Sequence, residues 1–115
     1  MFRYRPSPDE GSPDEEKTPA TVELFLESPD RRLLEYCDNL TIAPWGDLVL
    51  CEDGDGVDHL IGVTPDAQLY KLGRNAMDDG EFAGACFSPD GSTLFVNIQN
   101  PGLTLAVTGP WDRRA

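Results

Sequence analysis

Apolar positions along this chain fall in short runs separated by proline, glycine and aspartate, with alternation in several of them. In TVELFLE (21–27), Val22, Leu24 and Leu26 alternate with polar positions, which predicts a strand. Phe25 breaks the alternation, so both faces of that strand are expected to be covered. SPDRRLLEY (28–36) predicts one helical turn, with Ser28 or Asp30 near its N-cap. Phe2, Arg3, Tyr4 and Arg5 alternate at the start and read as the end of a strand whose earlier part lies outside the chain.

One pattern then recurs three times. NLTIAPWGDLVL (39–50), HLIGVTPDAQLYKL (59–72) and GACFSPDGSTLFVNI (84–98) each run apolar, then a proline turn, then apolar. Proline pre-sets one turn position, and aspartate and glycine tolerate the others, so each segment predicts a β-hairpin. The first and third match best: Pro44 with Pro89, 45 residues apart, and Gly46 with Gly91. PGLTLAVTGPW (101–111) adds a further strand.

A repeat of about 40 to 50 residues built of four short strands is the pattern of a propeller blade. The expected fold is therefore all-β: antiparallel four-stranded blades of a β-propeller, about two blades of an incomplete ring. Residues 1–20 read as a partial strand and an acidic proline-rich loop, 21–111 as blades, and 112–115 as a tail. Two blades cannot close a ring, because such repeats bury their core between neighbours. The chain is expected to be a fragment or to pair with other chains, and its open blade edges are a surface for self-association.

Composition narrows the function. The 115 residues carry a formal net charge of −12. Such a chain repels nucleic acid and anionic membranes and attracts cations. No stretch approaches the roughly 18 apolar residues of a membrane span. The N-terminus shows no apolar signal-peptide core, which leaves the chain as given cytoplasmic or unassigned. Three cysteines, Cys37, Cys51 and Cys86, cannot all pair within one chain, and their spacing fits no zinc knuckle. Cys51 and Cys86 read as small buried residues; Cys37, beside Asp38, has more room for a ligand role.

The acids cluster at strand ends. Asp38 precedes the NLTIAP strand, Glu52 and Asp53 end the LVLC strand, and Glu81 precedes FAGACF. In a propeller these ends converge on the central channel. Carboxylates brought together raise each other's pKa unless a cation neutralises them, and hard cations such as Ca²⁺ prefer oxygen ligands. CEDGDGVDH (51–59) is similar to a calcium loop in its Asp53-x-Asp55 spacing, but lacks the twelfth-position glutamate and flanking helices of an EF-hand. A solvated acidic turn and a cation site explain it equally well. His59 is the single histidine, which excludes a multi-histidine zinc site. No GxSxG, P-loop or GxGxxG motif occurs. Ser88 reads as a turn former, and Trp45 and Trp111 as packing residues between blades.

Taken together, DNL (38–40), PWGDLVLCEDG (44–54), EFAG (81–84) and FSPDGSTLFVNIQNPG (87–102) resemble the C-terminal part of the PhoX-type alkaline phosphatases, the DUF839 family. The similarity is dense over 37–111 and looser back through FRYRPSPDEG. It implies an exported, periplasmic or extracellular β-propeller that hydrolyses phosphate monoesters with Ca²⁺ and iron held by channel acids. The ligands it implies here are Asp38, Glu52 or Asp53, and Glu81, with Cys37 a weaker candidate. Metal chemistry of this kind needs no side-chain nucleophile.

The resemblance also implies that the family's earlier blades and export signal lie outside this chain. The resulting expectation is a C-terminal piece of a Ca/Fe-dependent phosphatase, inactive alone and acting on a phosphate monoester only when completed by the missing blades. The alternatives are a non-enzymatic calcium- or partner-binding propeller piece, and a degraded gene product with no function of its own.

Overall fold

All three hairpins form, and the same local chemistry closes each. Gly46 N–H donates to the Ala43 carbonyl, Ala67 N–H to Thr64 and Gly91 N–H to Ser88. Pro44, Pro65 and Pro89 each sit second in their turn. The fourth position is left-handed in every case, with φ of 93° at Gly46, 60° at Ala67 and 72° at Gly91. Glycine reaches that region without a Cβ penalty; Ala67 does not.

The structure, a computed structural model, describes residues 1–111; the tail expected at 112–115 lies outside them. β1 (Phe2–Arg5) and β2 (Thr21–Leu24) form a two-stranded ribbon. β3 (Cys37–Ile42), β4 (Leu48–Glu52), β5 (His59–Val63) and β6 (Leu69–Arg74) form a central four-stranded sheet in chain order. β7 (Phe82–Phe87), β8 (Thr93–Ile98) and β9 (Leu103–Thr108) form a third sheet of three strands. Every pairing is antiparallel. The fold is all-β as expected, in open sheets of two, four and three strands, consistent with blades of an incomplete propeller. Among the described residues there is no α-helix, and a 3₁₀ turn lies at Glu15–Lys17; no helix is long and apolar enough to cross a membrane.

The central sheet is covered on both faces, which explains the unbroken apolar run Leu48–Cys51. Val49, Cys51 and Leu60 pack with Phe82, Leu94, Val96 and Ile98 of the third sheet. Leu50, Ile61 and Val63 face the other way, onto Leu26 and Leu34. Burying a side chain of this size contributes about 2 kcal/mol. β3 and β4 pack directly against β7, so the start of β3, the end of β4 and the start of β7 meet at one edge of the seam.

Several local expectations change. The strand expected over 21–27 stops at Leu24, because Phe25 and Leu26 both donate their N–H to the Met1 carbonyl. Leu26 then turns into the core. The helical turn forms at Asp30, whose carbonyl accepts from Leu33 and Leu34 and whose carboxylate accepts the Arg32 N–H at 2.8 Å. Cys51 is fully buried, but Cys86 is exposed: it lies on the face of the third sheet turned away from the core. The acidic loop is ordered by its own polar groups. Gly11 N–H reaches Glu15 at 2.9 Å and the Thr18 hydroxyl reaches Asp9 at 2.5 Å.

Candidate metal centre

Three chain segments bring three carboxylates together at the seam. β3 and β4 pair Cys37 with Glu52 and then Asn39 with Cys51, so Asp38 is the extra residue of a β-bulge. Bulges re-aim a side chain at the end of a ladder. Asp53 follows β4, its N–H tied to the Tyr36 carbonyl at 3.2 Å. Glu81 precedes β7, and its carbonyl accepts the Gln99 N–H at 3.0 Å. One oxygen from each of Asp38, Asp53 and Glu81 lies within 4.8 Å of the others. Among the described residues no other group of three or more His, Cys, Asp or Glu converges this way.

The electrostatics follow from that crowding. A hydrogen bond with Asp53 is the largest cause that pushes the Glu81 carboxyl up to about 7. Desolvation and the charges of Asp53, Asp38 and Asp58 add to it. At neutral pH the Glu81 carboxyl is therefore partly protonated. A set of convergent carboxylate oxygens with no nitrogen or sulfur donor suits a hard cation such as Ca²⁺.

Glu52, the other acid considered at this strand end, is not in the group. Its side chain is buried and fully engaged. Oε1 accepts the Glu35 N–H at 3.0 Å, and Oε2 accepts the His59 N–H at 3.0 Å and contacts His59 Nδ1 at 2.9 Å. Lys71 Nζ lies 3.2 Å from His59 Nε2. An ammonium only donates, so these contacts assign the tautomer with the proton on Nδ1. Cys37 also faces away: it packs against the Leu50 and Ile61 cluster, and burial pushes its thiol up.

Asp58 extends the acidic cluster of CEDGDGVDH, and in the fold it is 2% exposed. Its Oδ1 accepts the Gly54 N–H at 2.8 Å, bracing the loop that carries Asp53. Its Oδ2 has no partner, and desolvation, the largest cause, pushes the carboxyl up. Local pattern gave no sign of this burial, because Asp58 ends EDGDGVD, a stretch made mostly of acids and glycines.

A family model for alkaline phosphatase PhoX matches residues 7–102. That is most of the chain, reaching well before the dense motifs and ending short of β9. No curated protein and no solved structure matches. The chain belongs to the PhoX alkaline phosphatase family, a family of metal-dependent phosphatases.

Proposed function

We propose that this member of the PhoX family supplies one wall of a metal centre that hydrolyses phosphate monoesters, with Asp38, Asp53 and Glu81 as ligands of a hard cation. Ca²⁺ fits the all-oxygen donor set, and iron accompanies it by family resemblance. The observation that carries the reading is the meeting of three carboxylates from separate segments within 4.8 Å, beside the match to a phosphatase family. Ca²⁺ takes about 6 to 8 oxygens. Three carboxylates offering one oxygen each supply fewer than that, so the chain alone is expected to turn over little substrate.

Each residue has a definable task. Asp53 and Glu81 would each offer a carboxylate oxygen to a cation, Glu81 as its raised carboxyl loses its proton. Asp38, aimed by its bulge, closes the group from the third segment. Glu52 and Asp58 hold the strand end and the loop from behind. The chemistry a cation held by these residues would supply is Lewis acidity, which would lower the pKa of a nearby water and offset phosphoryl charge. An exported location goes with this reading, and the net charge of −12 argues against nucleic-acid and membrane partners.

Calorimetric titration with inorganic phosphate, in Ca²⁺ and then in chelator, tests it. Phosphate is expected to bind only with Ca²⁺ present, and Asp53→Asn to remove both affinities. Ca²⁺ binding without phosphate binding favours a non-enzymatic cation-binding module. Phosphate binding that ignores chelator contradicts the reading.

A further inference from the structure

The proline turns at the opposite strand ends build a second site. Trp45 in the β3–β4 turn stacks on Trp111, with ring centroids 5.4 Å apart and planes at 21°. Phe87 meets both edge-on at 5.6 and 5.9 Å. Beside them lies a cavity of about 410 Å³ walled by Pro44, Trp45, Asp90, Ser92, Gly109 and Trp111. A Cβ at Gly109 would come within 2.9 Å of the Trp111 ring, so glycine is what lets that ring close over the wall. β3 and β7 each span six residues between this end and the carboxylate group, roughly 20 Å of strand.

The polar groups of the wall select the ligand. The Trp45 indole N–H donates to Asp47 and that of Trp111 to the Ser92 carbonyl. The N–H of Gly91, the N–H of Ser92 and the Ser92 hydroxyl also donate within the protein. These donors are spent, so an anion finds none of them. Among the described residues of the wall, what remains is aromatic surface and the Asp90 carboxylate. Its Oδ1 takes Ser88 Oγ, Ser92 N and Ser92 Oγ. Those bonds, led by that from Ser88, hold the exposed carboxyl down at about 2, so it is ionised at neutral pH. Aromatic faces beside a fixed negative charge are the chemistry that captures organic ammonium groups. Packing between sheets accounts for the stacked indoles and for Phe87; it does not call for an open cavity with an acid at its rim.

We propose that this cavity binds an alkylated ammonium group, independently of the carboxylate centre. The test is tryptophan fluorescence of the full chain titrated with choline chloride at constant ionic strength, with 3,3-dimethylbutan-1-ol as the neutral isostere. A saturable response to choline is expected on the order of millimolar, unchanged by chelator, with the isostere about tenfold weaker. Asp90→Asn keeps an acceptor for Ser88 and Ser92 but loses the charge, and should weaken choline about three- to fivefold. Trp111→Leu should abolish the response. No saturable response to choline, an equal response to the isostere, or an unchanged affinity in Asp90→Asn would overturn the proposal.

Discussion

The Asp53 and Glu81 carboxyl groups meet across the seam between two sheets, one leaving β4 and the other entering β7, with an oxygen of each within 4.8 Å of the other's. Carboxylates brought this close disfavour each other's ionisation, and here the Glu81 carboxyl is the one pushed up.

It sets a pH dependence whose sign is fixed. The Glu81 carboxyl sits at about 7 in the fold against a usual 4.5. Between those values the folded chain binds more protons than the unfolded one, so metal-free stability falls as pH rises through the window. Asp58, also raised, acts in the same direction. Urea midpoints in chelator should decline from pH 5 to pH 7.5. Ca²⁺ should reverse the trend while releasing up to about one proton, measured by calorimetry in buffers of different ionisation enthalpy.

Glu52 and Glu81 should respond oppositely to neutralisation. Glu52→Ala strips the Glu35 and His59 N–H groups of their acceptor inside the fold. It is expected to cost about 2 to 4 kcal/mol by urea unfolding. Glu81→Gln removes repulsion at the seam, and should leave metal-free stability equal or higher at pH 7.5 while abolishing the Ca²⁺ response.

Gly62 makes room for the Tyr70 ring. A Cβ there would lie 1.9 Å from Tyr70 Cζ, a position the ring must vacate. The Tyr70 hydroxyl donates to Asp47 at 2.7 Å, and Asp47 also accepts the Trp45 indole. Gly62→Ala should therefore cost about 2 to 3 kcal/mol and perturb Trp45 fluorescence. Tyr70→Phe keeps the ring and should cost only about 1 kcal/mol.

Ala67 is the weak copy of the turn. At φ 60° it carries a Cβ where Gly46 and Gly91 carry none. Ala67→Gly should stabilise the chain by about 0.5 to 1 kcal/mol in denaturant unfolding, after the loss of the methyl contact.

Turn chemistry and alternation made the hairpins legible in the sequence, because a proline turn, Pro-x-Gly in two of the three and Pro65-Asp66-Ala67 in the other, closes from four neighbouring residues alone. The acids at strand ends were legible for the same reason. The choice between Glu52 and Asp53 was half legible. Side chains alternate, so Asp53 shares a face with Val49 and Cys51, and Glu52 with Leu48 and Leu50. Deciding which face meets Glu81 requires knowing which sheet packs where, and no local pattern holds that. The bulge at Asp38, the burial of Asp58 and the exposure of Cys86 likewise come from long-range packing. So does the early stop of β2, imposed by the Met1 carbonyl from 24 residues away in sequence.

The central claim is that Asp38, Asp53 and Glu81 hold a cation, and thermal unfolding at pH 7.5 tests it most directly. A ligand at about 100 times its Kd stabilises by roughly 2.7 kcal/mol, a shift on the order of 10 °C in a domain of this size. The wild-type chain should gain such a shift between chelator and millimolar Ca²⁺, and the Asp38→Asn, Asp53→Asn, Glu81→Gln triple variant should not. Equal midpoints in chelator and Ca²⁺ for the wild type, or the same gain in the triple variant, would contradict the claim.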